Sequence, residues 1–190
     1  MTSSNREPVS ERVEPHDVAW AADFLVEAAL VRNALGDVLV ELHHIGSTAV
    51  PDLLAKPIID MIGGVISLSV LDVHSDELTS LGYEAMGAFG IEGRRYFRKH
   101  NAEGRRTHHL HLYEAGSPEI ERHIRFRDYL RAHPNRARDY SDLKAAIVSG
   151  EAGEGAPYAQ AKSPLVQILK AEALDWAIRT GRATAGVDRR

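Results

Sequence analysis

The sequence predicts one α/β domain of α+β character, a mixed β-sheet flanked by helices with further helices gathered at the C-terminal end. Three observations predict it. Apolar residues recur at helical spacing near the start and again over the last third of the chain. Between these stretches lie short runs that either alternate in polarity or are wholly apolar, as strands do. Glycine and proline separate the runs.

The 190 residues suit a single domain. Residues 1–12 are expected to form a flexible lead-in, 13–180 the domain, and 181–190 a flexible tail. Asp17 caps a first helix carrying Trp20, Phe24, Leu25, Ala28 and Val31, which ends at Gly36-Asp37. Residues 38–45 read as a strand with Val38, Val40 and Leu42 on one face and Leu39, Glu41 and His43 on the other. Residues 58–62 form a short buried strand between Pro57 and Gly63-Gly64. A helix is expected over 68–81, stopped by Gly82. Strands follow at 83–86, 93–99 and 107–113, with a turn at 101–104. Helices are expected over 118–130, 135–149 and 158–180, the last interrupted at Ser163-Pro164.

Composition removes several function classes. Apolar residues make up 44% and charged residues 26%, which suits a packed core. With no cysteine there is no disulfide, thiolate nucleophile or cysteine-bound zinc. No apolar run reaches the length of a membrane span, and the polar start lacks a signal-peptide core, so no membrane partner and a cytoplasmic location are expected. A net charge of −4 disfavours duplex nucleic acid and leaves a small phosphorylated molecule as the expected partner. Nothing in the sequence sets the oligomeric state.

The densest chemistry lies in His43-His44-Ile45-Gly46-Ser47-Thr48-Ala49-Val50-Pro51-Asp52-Leu53-Leu54-Ala55-Lys56-Pro57-Ile58-Ile59-Asp60. Gly46 lets the backbone turn and a ligand approach. Ser47 offers a hydroxyl, and the N–H groups around Thr48 can face an anion. Lys56 supplies a compact positive charge suited to phosphate. Asp60 places a carboxylate inside an apolar strand, which requires a partner or a metal.

This run resembles the signature of the GrpB family, a branch of the nucleotidyltransferase-like fold. The resemblance continues through Phe126-Arg127-Asp128-Tyr129-Leu130, Tyr140 with Lys144, and Tyr158 with Lys162. It implies a nucleotidyltransferase-like sheet with the Gly-Ser turn at its edge. Gly46 and Ser47 then match the turn that holds a nucleoside triphosphate, and Asp60 matches the first metal-binding acid. A divalent metal, magnesium or manganese before zinc, is the implied cofactor. Ile62 stands at the second acid position, so the arrangement that clamps two metals is incomplete. Asp60, Ser47 and Lys56 are the candidate catalytic residues, and His44 is favoured over His43 as the one facing the ligand.

On the strand at 107–113, His109 and His111 share a face with Thr107 and Tyr113, while His108 joins Leu110 and Leu112. If that strand lies beside Asp60, two imidazoles and a carboxylate form a metal site that suits manganese, iron or zinc better than magnesium. Arg94, Arg95, Arg98, Lys99, Arg105 and Arg106 put basic groups on a hairpin, of which Arg95 is the candidate phosphate ligand. Lys144 and Lys162, each four residues after a tyrosine, can carry an ammonium to the cleft. Arg127 and Asp128, adjacent on a helix, are expected to point apart.

Two main function classes follow. One is an enzyme transferring a nucleotidyl or phosphoryl group. The other is a non-catalytic module binding a nucleotide or coenzyme A precursor, because GrpB-like domains resemble a segment appended to some dephospho-coenzyme A kinases. A metal-dependent hydrolase built on the histidine strand is a weaker third.

Overall fold

A computed structural model describes residues 13–153 and 156–182. The expected lead-in at 1–12, positions 154–155 and most of the expected tail lie outside the described residues.

The chain begins with α1 (Ala19–Leu35), where the Asp17 carboxylate accepts the Ala19 N–H at 2.8 Å. A 3₁₀ turn leads into β1 (Leu39–Ile45), and a second, Ser47–Ala49, follows it. Then come β2 (Ile59–Val65), α2 (Leu68–Val73), α3 (Ser75–Ser80), β3 (Tyr83–Ala85), β4 (Arg95–His100) and β5 (Arg106–Glu114). Four helices follow among the described residues: α4 (Pro118–Ala132), α5 (Pro134–Ser149), α6 (Tyr158–Ala161) and α7 (Ser163–Arg179). Proline opens α4 and α5 in the first turn, where its missing N–H costs no bond. Gly150, at φ 81°, closes α5.

The five strands form one sheet in the order β1-β2-β5-β4-β3. Only β2 and β5 run parallel, and the other pairs are antiparallel. The sheet is thus mixed and flanked by helices, as the sequence predicts. Among the described residues no helix is long and apolar enough to cross a membrane.

The two sheet faces differ. One face buries Leu39, Leu42, Met61, Val65, Leu110, Leu112 and Phe97 against Trp20, Val31 and Leu35 of α1 and Leu71 and Leu78 of α2 and α3. Glu27 of α1 is 5% exposed inside this layer and accepts two hydrogen bonds from Lys99 Nζ, at 2.9 and 3.0 Å. The opposite face is only partly covered. There Ile45, Ile62 and Tyr113 meet Ile120 of α4. A separate helical core joins Tyr129, Leu130, Ala137, Tyr140 and Leu169 to Val50 and Leu53, which lie in the segment between β1 and β2.

Two local readings need correction. The strict alternation expected over 38–45 fails because the pairing with β2 shifts between Leu39 and Glu41. This bulge turns Val40 outward, 53% exposed, and puts Leu39 and Leu42 in the core. The single helix expected over 68–81 is two short ones that part at His74 (φ −98°, ψ 14°). Ser75 Oγ donates to the Asp72 carbonyl and His74 pairs with Glu77, so local polar side chains compete with the helical ladder there.

Strand β2 has little room on its core face. A Cβ at Gly63 would lie 2.7 Å from the Glu41 carbonyl oxygen and 3.0 Å from Leu112 Cδ2. Gly63→Ala is therefore expected to destabilise the fold by about 1–3 kcal/mol, read by urea unfolding. Unchanged stability would show that β1 gives way freely at this point.

Candidate functional site

Strand β2 carries Asp60 on the partly covered face, because Met61 and Ile59 turn toward α1. The parallel register sets Asp60 opposite His109 and Ile62 opposite His111. Asp60 Oδ1 and His109 Nδ1 are 2.8 Å apart. Ligand atoms of Asp60, His109 and His111 all lie within 4.8 Å of one another. The three share a face of the sheet and lie close together, as the two-residue period of a strand predicts.

The carboxylate keeps 30% exposure. Burial acts to raise its pKa, but the hydrogen bond from His109 and the nearby His109, His111 and Lys162 outweigh that and hold it below the usual value. His111 stacks on Tyr96 at 5.0 Å between ring centroids. Burial pushes His111 down to about 4, with His109 and Arg94 acting in the same sense and Asp60 against. His109 Nε2 is buried without a hydrogen-bond partner among the described residues.

The Gly-Ser turn touches this acid directly. Gly46 has φ 72°, and a Cβ there would lie 2.5 Å from Asp60 Oδ2. No side chain fits at that position without moving the carboxylate. Half-buried Ser47 follows, and its Oγ accepts a 2.6 Å hydrogen bond from Lys144 Nζ of α5. The same Nζ donates to the Leu54 carbonyl at 2.7 Å, while Ser141 Oγ accepts the Leu54 N–H at 3.0 Å. Lys144 is 1% exposed and lies 4.0 Å from the centre of the Tyr140 ring. Burial lowers its pKa to about 6, helped by Lys162 and opposed by Asp60. Lys162 is also lowered by burial, with Asp60 opposing and Lys56 adding. Lys56 and Lys162 both lie over the Tyr158 ring, at 4.3 and 5.1 Å.

Other expected ligands have different roles. His44 and Thr48 are buried braces. Thr48 Oγ1 donates to the Ile58 carbonyl at 3.1 Å and so accepts from His44 Nε2 at 3.0 Å. The His44 ring stacks on Phe24 at 4.8 Å. Arg95 is committed to Asp72 by two hydrogen bonds of 2.6 and 2.7 Å. Three more of the expected basic hairpin's side chains are similarly occupied: Arg98 binds Glu84, Lys99 binds Glu27, and Arg94 donates to the Ala88 and Phe89 carbonyls. Arg127 and Asp128 do not point apart, since Arg127 Nε reaches Asp128 Oδ1 at 2.7 Å. The long arginine side chain spans the angle between neighbours on the helix.

Sequence reasoning gave no site role to three contributors. Tyr96 supports His111, and Arg127 and Arg131 of α4 donate to the His44 and Ala49 carbonyls at 2.9 and 2.8 Å. The spacing of the two arginines was the available signal, because residues four apart share a helix face.

A family model described as GrpB protein matches residues 11–172. The chain belongs to the GrpB family. It is 40% identical over 166 residues to the UPF0157 protein YqkA of Bacillus subtilis, a match covering 87% of this chain and 47% of that one. The chain therefore spans less than half of YqkA. The crystal structure of GrpB from Enterococcus faecalis aligns with a TM-score of 0.79 at 37% identity, over 86% of this chain and 98% of that one. A distant similarity extends to the Cid1 poly(U) polymerase bound to MgGTP, with a TM-score of 0.42 and 13% identity over 66% of this chain and 44% of that one.

Two outcomes test the geometry. Gly46→Ala should lose about 1–3 kcal/mol by urea unfolding, since it combines a left-handed backbone with a collision at Asp60. Burial, with Arg131 adding and Asp60 opposing, holds the His44 pKa at about 4. The unfolded chain, with a histidine near 6.5, thus takes up a proton first as pH falls. His44 stabilises the fold above that value, and about 3 kcal/mol is lost on going from about pH 6.5 to about pH 4. In His44→Asn this share of the pH slope should vanish, and an identical slope in both proteins would refute the assignment.

Proposed function

We propose that this chain binds a phosphorylated small molecule, such as a nucleoside triphosphate, together with one divalent cation, and transfers its nucleotidyl or phosphoryl group. The observation that carries the reading is the convergence of Asp60, His109 and His111 within 4.8 Å, beside a Gly-Ser turn backed by a buried lysine.

The residues fit a cation. Two imidazoles and one carboxylate form a borderline donor set, which favours manganese, iron or zinc over magnesium. The partnerless Nε2 of His109 adds a buried nitrogen in need of a partner. Such an ion would supply charge neutralisation for phosphate oxygens. Lys162 and Lys56, both at Tyr158, would add positive charge on the same side. Ser47, at the turn, would offer its hydroxyl to such a ligand.

One observation favours binding without turnover as the second reading. Ile62, at the second acid position, is fully buried against Ile45, Tyr113 and Ile120. A single carboxylate then limits the site to one cation.

Thermal unfolding with manganese, zinc or magnesium, with and without a nucleoside triphosphate, tests both readings. A ligand at about 100 times its dissociation constant adds about 2.7 kcal/mol. Manganese or zinc is expected to raise the melting temperature with triphosphate, and Asp60→Ala to abolish that gain. Stabilisation without consumption of the triphosphate would select the binding reading. A gain untouched by Asp60→Ala would remove Asp60 from the site.

A further inference from the structure

We propose that Ser47 is a covalent nucleophile and Lys144 its general base, so that the transferred phosphoryl or nucleotidyl group passes through an ester on Ser47 Oγ. This goes beyond the preceding reading by giving Ser47 covalent work. It rests on that reading only for the class of group transferred.

The geometry carries the inference. Ser47 Oγ and Lys144 Nζ are 2.6 Å apart, the separation a proton transfer needs. Ser47 is half-buried and lies at the open turn, whereas Lys144 is 1% exposed behind it. The nucleophile thus keeps partial exposure while its base is shielded from solvent. The Leu54 carbonyl fixes the amine by accepting a second hydrogen bond at 2.7 Å. An uncharged amine there would keep one N–H on Leu54 and turn its lone pair to the Ser47 hydroxyl, which would then be the donor.

The groups facing Lys144 come from three elements. Tyr140 lies on its own helix, Lys162 just beyond α6, and Asp60 on β2. Burial and Lys162 favour the neutral amine, Asp60 opposes them, and the balance sets the pKa at about 6. Near neutral pH the amine is therefore largely free to accept a proton. A serine paired with a lowered-pKa amine is an established means of activating a hydroxyl.

The step balances without a further reagent. The Ser47 proton moves to Nζ as the Oγ–P bond forms and the bond from phosphorus to the leaving oxygen breaks. The leaving oxygen takes the electron pair and then the proton from Lys144. In the second half, the same amine deprotonates water or an acceptor hydroxyl, which attacks phosphorus, and the proton returns to Ser47 Oγ.

The test is labelling with an alkyl fluorophosphonate in the presence of a chelator, followed by peptide mass spectrometry and by rate measurement against pH. One phosphonyl group on Ser47 is expected, absent in Ser47→Ala, with a rate that falls below about pH 6. Lys144→Met should slow labelling by roughly 100-fold or more. No adduct on Ser47 of the folded protein would overturn the proposal. So would a rate independent of pH between about 5 and about 8, as a purely structural lysine would give. If Lys144→Met does not fold, the wild-type pH profile and Ser47→Ala decide the matter. The chelator keeps this result separate from the metal and triphosphate reading, which is tested by melting temperature and triphosphate consumption.

Discussion

A carboxylate set into the middle of a sheet must be met by hydrogen-bond donors and positive charge, or it will not stay ionised there. Asp60 imposes that requirement on everything around it. The parallel neighbour answers with His109, at 2.8 Å. The turn beyond β1 must have no side chain, because the carboxylate occupies the space a Cβ would take at Gly46. Two lysines from the C-terminal helices lie close enough for Asp60 to influence their protonation. The sheet face carrying Asp60 is left partly uncovered, whereas the opposite face is closed by α1, α2 and α3.

The segment joining β1 to β2 has little regular structure of its own, so its backbone groups must find partners elsewhere. Besides its own turns and a bridge to Glu14, two helices supply them. From α4, Arg131 takes the Ala49 carbonyl, and Arg127 takes that of His44, in β1 just before the segment. From α5, Ser141 and Lys144 take the two sides of the Leu54 peptide. Beneath these bonds, Val50 and Leu53 are buried with Tyr129, Tyr140 and Leu169. The Gly-Ser turn is thereby held rigidly although it is a loop, which suits a group that must meet a ligand at a fixed place.

Much of this was legible in the sequence, and the reasons differ by residue. The grouping of Asp60, His109 and His111 needed only the two-residue period of a strand and one correct adjacency. The break at Ser163-Pro164 followed from proline chemistry, and α7 begins there. The bulge at Val40 was not legible, because nothing in 38–45 distinguishes an unpaired residue from a paired one until β2 is alongside. Arg95 looked free because its partner, Asp72, lies 23 positions earlier in another element. The spacing of Tyr140 and Lys144 showed a shared helix face but not the distant serine that Lys144 meets. Contacts of that kind depend on tertiary packing, which carries no period.

Ser47 and Lys144 are 97 positions apart, and Leu54 and Lys144 are 90 apart. Closing loops of that length is entropically costly and slow compared with pairing neighbouring strands. The sheet can therefore form while the turn still lacks its anchor, and the lysine becomes desolvated only when α5 docks. Any chemistry that depends on a neutral amine at Ser47 is silent until then. The fold in this way couples the timing of competence to its own completion, and a partly assembled chain carries the sequence of the site without its reactivity.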